Sequence, residues 1–208
     1  MYEKARIGVD PVILTIHENK LKVLLRKREK EPFRGKNELL GGLIKQDENA
    51  KNALKRKLKE VLDTNKFFFK QFHTFTNPKR DPRMRTISIG YVALIEKSNV
   101  KNFNDWFDIN KISQTTNHPL QTKLAFDHEN IIRKATIFLK ENLDFFAKHL
   151  LPDKFPLNML QSIYEIILEE KFDNRNFRKQ MINSFVKETE EYEKKVSHRP
   201  AKLYLFNG

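Results

Sequence analysis

The 208-residue chain carries 40 Lys and Arg against 27 Asp and Glu, a formal net charge of +13, with 39% hydrophobic residues and no cysteine. This composition is typical of a globular protein, excludes disulfides and thiolate-bound zinc, and contains no apolar run long enough to cross a bilayer. The amino-terminal stretch also lacks the apolar run of a signal peptide, so we expect a cytoplasmic protein with no membrane partner.

The charge is unevenly distributed along the chain. Ten basic and nine acidic residues lie from Pro152 to the end, so almost all of the net positive charge belongs to the first 151 residues. Such an excess favours a polyanionic partner, either nucleic acid or a nucleotide. The six histidines are scattered and never lie four residues apart, so we expect no metal site built from them.

The first part of the chain predicts a sheet with one amphipathic helix. "PVILTIHENKLKVLLRKRE" has two apolar runs around a polar turn, which predicts a β-hairpin. A helix is expected from about Asn49 to Leu62, capped by Asp47, and further strands in "KFFFKQFHTF" and "TISIGYVALIE". Residues 97–124 are polar and Asn-rich, which indicates a surface excursion around the short element "DWFDINKI".

The second part changes pattern. A helix capped by Asp127 is expected to end before Pro152, which places the domain boundary between residues 151 and 152. Asn158 and Gln161 then predict a capping box for one helix, and Asp173 a cap for the next. The final stretch predicts two strands around a charged turn. Helix, turn, helix and hairpin is the order of a winged-helix domain, here 152–208.

One stretch, "GGLIKQDENAKNALKRKLKEVLDT", resembles the Nudix box, the loop-and-helix signature of the Nudix family. The residues that fall in register with the box are Gly42, Glu48, Arg56, Leu58 and Glu60. Lys57 and Val61 replace helix acids, and Asp63 replaces the closing glycine.

The chemistry of the box needs several carboxylates on one helix face, which together hold Mg²⁺ and so activate water against a pyrophosphate. Glu48 and Glu60 alone make a poor magnesium site, and Lys57 brings a positive charge to the place of the ion. We therefore expect no catalysis and no required metal or cofactor. We expect the cavity of the domain to bind a ligand instead.

A basic loop supplies candidate ligand-binding residues. Arg80, Arg83 and Arg85 crowd the proline-stiffened stretch "NPKRDPRMR", and guanidinium groups suit phosphate oxygens bidentately. Together with Lys57 they are expected to bind a pyrophosphate without metal. A solvated loop with no ligand is the alternative interpretation.

The whole chain resembles the NrtR type of Nudix-related transcriptional regulators, an α+β architecture of a Nudix-type sheet/helix sandwich followed by a winged helix. The similar stretches include "RDPRMRTISI", "LAFDHENIIRKA", "DNRNFRKQM" and "HRPAKLYLF". The resemblance implies a homodimeric repressor of NAD-cofactor metabolism genes, which binds a palindromic operator in double-stranded DNA and is released by ADP-ribose or a related nucleotide. Some members respond to a sugar such as arabinose, and an active nucleotide-diphosphate hydrolase is a further alternative.

The second helix of the winged domain is expected to enter the major groove. The candidate DNA-binding residues are Arg175, Asn176, Arg178 and Lys179 on its outer face, with Arg199 and Lys202 on the hairpin as phosphate contacts. Four glutamates on the same hairpin count against deep insertion of the wing, so basic residues of the first domain are expected to assist.

Overall fold

The computed structural model describes residues 4–62, 64–112, 124–182, 184–194, 197 and 199–207. Asp63, which stands at the end of the Nudix-like box, lies outside the described residues, as do 113–123 of the Asn-rich segment. The chain divides into two compact units, Met1–Leu139 and Lys140–Gly208. Among the described residues, no helix combines the length and the apolar character that a membrane span requires.

The first unit is built on a mixed sheet. Its strands are β1 (Arg6–His17), β2 (Lys20–Leu24), β3 (Arg26–Lys27), β4 (Asn37–Glu38), β5 (Gly42–Leu43), β6 (Phe68–Phe75), β7 (Thr86–Leu94) and β8 (Trp106–Asp108). The sheet has the order β6-β7-β1-β2-β8, with β5 also paired to β1, while β3 and β4 form a separate ribbon. Only the β1–β7 pairing among these is parallel.

The predicted hairpin is confirmed as β1 and β2. Its two turn residues, Glu18 and Asn19, have φ values of 52° and 55°, which is the left-handed conformation that a two-residue hairpin turn requires. The apolar run of β1 is buried on both faces of the sheet. Two covering layers follow from this burial, because each face of a central strand must be shielded from water.

Helix α1 (Ala50–Lys59) covers one face of the sheet. Its buried Ala53, Leu54 and Leu58 belong to the same core cluster as Val9 and Ile13 of β1. The cap expected at Asp47 is wrong: the side chain of Asn49, directly before the first turn, accepts a hydrogen bond from the Asn52 amide instead.

The other face is covered by helix α2 (His128–Glu141). The ring of Phe138 lies 6.0 Å from the ring of Phe72 in β6, measured between centroids. Asp10 alternates with the α1-facing residues of β1, so its carboxylate points to the α2 side. The sheet therefore lies between two helices, as expected of a sheet/helix sandwich.

Residues 97–124, which were expected to form a surface loop, contain a strand of the main sheet. β8 pairs with β2 in antiparallel register, and Trp106 is 8% exposed. Burial of Trp106 and Ile109 explains why this polar segment returns to the sheet edge.

The second unit contains α3 (Leu143–Phe146), β9 (Phe155–Pro156), α4 (Leu157–Leu168), α5 (Asn174–Met181), β10 (Val186–Tyr192) and β11 (Lys202–Phe206). The strands form an antiparallel sheet of order β10-β11-β9. The helix, helix and hairpin order is thus as predicted. The short stretch between Pro152 and α4 contains β9, while the domain boundary between residues 151 and 152 stays a prediction.

The two predicted caps of this unit have different outcomes. Asp173 caps α5 by accepting a hydrogen bond from the Asn176 amide. The capping box at Asn158 is wrong, because α4 begins after Pro156 and Gln161 has another role. Its amide donates to the Phe172 carbonyl and to Asn174 Oδ1, and so ties α4 to the turn before α5.

Candidate ligand-binding site and nucleic-acid interface

The two carboxylates that remain in the Nudix-like box are each paired with a cation of the same helix. Arg56 Nε donates to Glu48 Oε2 at 3.1 Å, and Arg56 Nη2 also bonds Glu48 and the Leu43 carbonyl. The hydrogen bond from Arg56 lowers the pKa of Glu48 to about 2. The arginine thereby fastens α1 to the loop that precedes it.

Lys57 is buried beside Glu60. Its ammonium group bonds the Glu60 carboxylate, and its side chain is 10% exposed. Although burial raises the pKa of Glu60, the hydrogen bond and the charge of Lys57 leave that pKa below its ordinary value. A side chain on Gly42 would lie 3.0 Å from the Lys57 stem, so the glycine makes room for the lysine. A cation of the protein is thus paired with each carboxylate that remains at the positions of the Nudix box.

Arg80 of the basic loop is an internal cross-link. Its guanidinium donates to Asp10 at 3.0 Å and to both oxygens of Asp127, at 2.8 and 3.0 Å. The Arg80 side chain is 6% exposed. Loss of one partner from such a buried group typically costs about 3–5 kcal/mol of stability, because the others are left as unpaired charges. Arg80 therefore joins β1, the basic loop and the residue before α2.

The Asp10 carboxylate is closely surrounded by other residues besides Arg80. Ser88 donates to Asp10 Oδ2 at 2.6 Å, and a side chain on Gly41 would overlap the other carboxylate oxygen, at 1.9 Å. His128 is buried nearby, where its Nδ1 accepts a hydrogen bond from the Leu39 amide at 3.0 Å. Burial lowers the pKa of His128, which keeps the imidazole neutral as an acceptor.

Arg83 and Arg85 are more accessible than Arg80. Arg83 donates from Nε and Nη2 to the two oxygens of Asp81, at 2.9 and 2.7 Å, while its side chain remains 52% exposed. Arg85 bonds the Thr76 carbonyl. The basic trio therefore does not converge on one point, because each guanidinium has a different protein acceptor.

A cavity of about 190 Å³ lies between the box and the basic loop. Of the four expected ligand residues, Arg80 and Arg83 line it, together with Gly42 of the box, whereas Lys57 and Arg85 are not among its lining residues. A second cavity of about 710 Å³ shares Arg80 and Phe126 with the first.

The sequence interpretation missed Phe126 and Arg28. Phe126 has a φ of 53°, a rare conformation for a bulky residue. The guanidinium carbons of Arg28 and Arg83 lie 4.7 and 5.2 Å from the centre of its ring. Arg28 is paired with Glu38 at 2.7 Å. Nothing in a local pattern marks these residues, because three distant segments meet only in the folded chain.

The candidate DNA-binding residues lie in the second unit. Phe177 and Met181 of α5 are buried, which leaves Arg175, Asn176, Arg178 and Lys179 exposed, as the helical spacing predicted. Lys202 of the hairpin is half-buried and Arg199 is exposed. Arg178 and Lys202 both bond Glu188 of β10, at 2.8 Å each. Whether these residues contact DNA stays a prediction.

Two family models match this chain. The model described as the NUDIX domain matches residues 8–134, and that of the NrtR DNA-binding winged helix domain matches residues 147–206. The predicted Nudix-type domain followed by a winged helix is thereby confirmed.

Three relatives illustrate the similarity. The "ADPR responsive transcriptional repressor NtrR" of Acinetobacter baylyi is 33% identical over 99% of this chain and 83% of its own length. The crystal structure of Shewanella oneidensis NrtR with a 27mer DNA is 28% identical, with a TM-score of 0.77 over 97% of this chain and 93% of that one.

The NUDIX domain of the Shewanella protein, solved with ADP ribose, is 31% identical, with a TM-score of 0.55 over 66% of this chain and 90% of that one. The "ADP-ribose pyrophosphatase" of Methanocaldococcus jannaschii is 31% identical over 64% of this chain and 74% of its own length. The chain belongs to the NrtR family, in which a NUDIX domain is followed by an NrtR DNA-binding winged helix domain.

Proposed function

We propose that this chain is a DNA-binding repressor of NAD-cofactor metabolism genes, and that ADP-ribose or a related nucleotide releases it from its operator. The observation that carries the proposal is the pairing of Glu60 with buried Lys57 in a chain that also has an NrtR winged helix domain. A Nudix box neutralised from within suits ligand binding better than metal-dependent hydrolysis.

Competition between charges is the physical reason for a site without metal. Magnesium would have to displace Lys57 from Glu60 and Arg56 from Glu48, and the positive charge of both cations would oppose its approach. A pyrophosphate, in contrast, is attracted by cations. The same substitutions that weaken a metal site therefore favour an anionic ligand.

The 190 Å³ cavity is the proposed ligand site. Arg83 is its best-placed phosphate donor, because Asp81 occupies Nε and Nη2 and leaves the Nη1 edge of the guanidinium for another acceptor. Arg80 is proposed to form the wall of the site, since its side chain is only 6% exposed and its Nε and Nη2 already serve Asp10 and Asp127. The Phe126 ring offers an apolar surface beside these charges.

DNA binding is proposed to use the exposed face of α5 in the major groove, with the protein acting as a homodimer on a palindromic operator. The two relatives described as a responsive repressor and as a DNA complex support this architecture. The small net charge of the second unit suggests that cations of the first, such as exposed Lys4 and Arg6, add phosphate contacts.

The test uses the full chain and two measurements. Titration calorimetry with ADP-ribose in EDTA should detect binding, and incubation with ADP-ribose and millimolar Mg²⁺ or Mn²⁺ should release no AMP above the buffer control. Metal-dependent turnover that disappears in Glu60→Gln would instead establish a hydrolase, the activity of the Methanocaldococcus relative. A response to arabinose, with none to ADP-ribose, would establish the sugar-regulated alternative.

A further inference from the structure

Glu188, near the start of β10, is the acceptor at which the second helix and the hairpin of the winged unit meet. Arg178 Nη2 donates to its Oε1 at 2.8 Å, and Lys202 Nζ donates to its Oε2 at 2.8 Å. Tyr204 adds a third bond, from its hydroxyl to Oε1 at 3.0 Å. One carboxylate therefore joins α5, β10 and β11.

Glu188 accepts the hydroxyl of the buried Tyr204, but the stability of its two ion pairs does not explain why they are there. The side chains of Arg178 and Lys202 are 55% and 30% exposed, and that of Glu188 is 35% exposed. Ion pairs at such exposure contribute little to folding, because water and salt screen them. The bonds from Lys202 and Tyr204 hold Glu188, and the bond from Arg178 to Glu188 restricts the direction of the Arg178 guanidinium. The guanidinium carbon also lies 5.9 Å from the centre of the Tyr204 ring.

The placement of an acid among the candidate DNA contacts is therefore the feature that needs a reason. A carboxylate repels phosphate, so Glu188 weakens binding to any DNA sequence. A guanidinium reads guanine only when its planar fork is correctly oriented, whereas it binds phosphate in many orientations. A fixed guanidinium thus gains base discrimination at the expense of general affinity.

We propose that Glu188 is a positioning residue for DNA recognition: it holds Arg178 in the orientation for a base edge and keeps Arg178 and Lys202 from binding phosphate indiscriminately. This inference rests on the proposed DNA-binding function. Glu188 thereby has a role in DNA binding, although its negative charge by itself is unfavourable for DNA binding.

Glu188→Gln tests the proposal, with Glu190→Gln as its matched control. Glu190 lies on the same strand, is exposed, and makes no side-chain hydrogen bond or close ion pair among the described residues; its charge acts on Lys202 only at longer range. Both variants remove one negative charge. Each protein is titrated onto a random-sequence duplex and onto the duplex that the parent selects from a randomised pool.

The parent protein is expected to discriminate between the two duplexes. Glu190→Gln should strengthen binding to both duplexes by a similar factor, so the ratio of the affinity for the selected duplex to that for the random duplex should not change. Glu188→Gln should lower the ratio at least about fivefold, the loss expected for one misplaced bidentate base contact. The binding of Glu188→Gln to random DNA should also depend more steeply on salt. The slope of the logarithm of the binding constant against the logarithm of the salt concentration should steepen by up to about 0.9 for each side chain, Arg178 or Lys202, that becomes free to bind a phosphate.

A double variant separates positioning from simple repulsion. In the Arg178→Ala background, Glu188→Gln should no longer lower the ratio, because no guanidinium remains to be oriented. Equal effects of Glu188→Gln and Glu190→Gln in the parent, or an undiminished effect in the Arg178→Ala background, would overturn the inference alone. If the parent selects no duplex from the pool, the proposed function itself fails, and the inference with it.

Discussion

Charge reversal at the Nudix-like box tests whether Lys57 takes the place of a metal ion. Lys57→Glu would replace the Lys57–Glu60 attraction with a repulsion between two carboxylates on one helix turn. Two unit charges about 4 Å apart interact by roughly 4 kcal/mol at an effective dielectric constant of 20. Because Glu60 is 43% exposed, solvent screening reduces each interaction to at most about 1 kcal/mol. The change from attraction to repulsion counts it twice, which gives a loss of roughly 2 kcal/mol.

The assay is thermal unfolding of the full chain in EDTA and in 10 mM Mg²⁺. A loss of roughly 2 kcal/mol should lower the midpoint by about 4–8 °C in a chain of this size. Magnesium at about ten times its dissociation constant would restore about 1.4 kcal/mol to the variant. The parent should not respond to Mg²⁺, because its own cation already occupies the carboxylate.

Lys55→Glu is the matched control, with the same charge change on an exposed position of α1. It should lower the midpoint by less than Lys57→Glu and show no magnesium effect. Equal stabilisation of the parent and Lys57→Glu by Mg²⁺ would show that the metal and Lys57 do not compete, and the reasoning about the box would be wrong.

Three further predictions concern the ligand, the DNA and pH. Arg83→Glu should abolish ADP-ribose binding in calorimetry while preserving most operator affinity, since the expected base contacts lie in the other unit; loss of both would contradict this assignment. Arg178→Ala should weaken operator binding by about 1–3 kcal/mol with little change on random DNA; equal losses on both would refute base recognition. Burial lowers the pKa of His128, so the unfolded chain binds a proton that the folded chain does not, and stability should fall below about pH 6.5 by up to roughly 1.4 kcal/mol per pH unit. The free energy of unfolding, measured with urea from pH 7.5 to 5, should depend less steeply on pH in His128→Asn, which retains an acceptor for the Leu39 amide. An unchanged pH dependence would exclude His128 as its source.

Local patterns predicted the elements whose signals lie within a few residues. The β1–β2 hairpin, the apolar face of α1 and the Asp173 cap follow from alternation, helical spacing and a capping side chain. Errors arose where two local signals competed. Asp47 and Asn49 are both capping residues, and only the fold decides that the helix starts after the second.

The site was less predictable, because its contacts join distant segments. Arg80, Arg83 and Arg85 looked equivalent in sequence, yet Asp10 and Asp127 bury the first while the second remains accessible. The composition of the basic loop does not reveal these partners. By contrast, the Lys57–Glu60 pair follows from a spacing of three residues on one helix, and the sequence correctly placed them on the same face.

Reciprocal calorimetry tests the central claim, that a ligand in the first unit controls DNA binding by the second. ADP-ribose is titrated into the full chain without metal, alone and with the selected duplex, and the duplex is titrated with and without ADP-ribose. Each partner is expected to weaken the binding of the other by the same factor, about 5- to 150-fold for a typical coupling of about 1–3 kcal/mol. Unchanged duplex affinity at saturating ADP-ribose would contradict it.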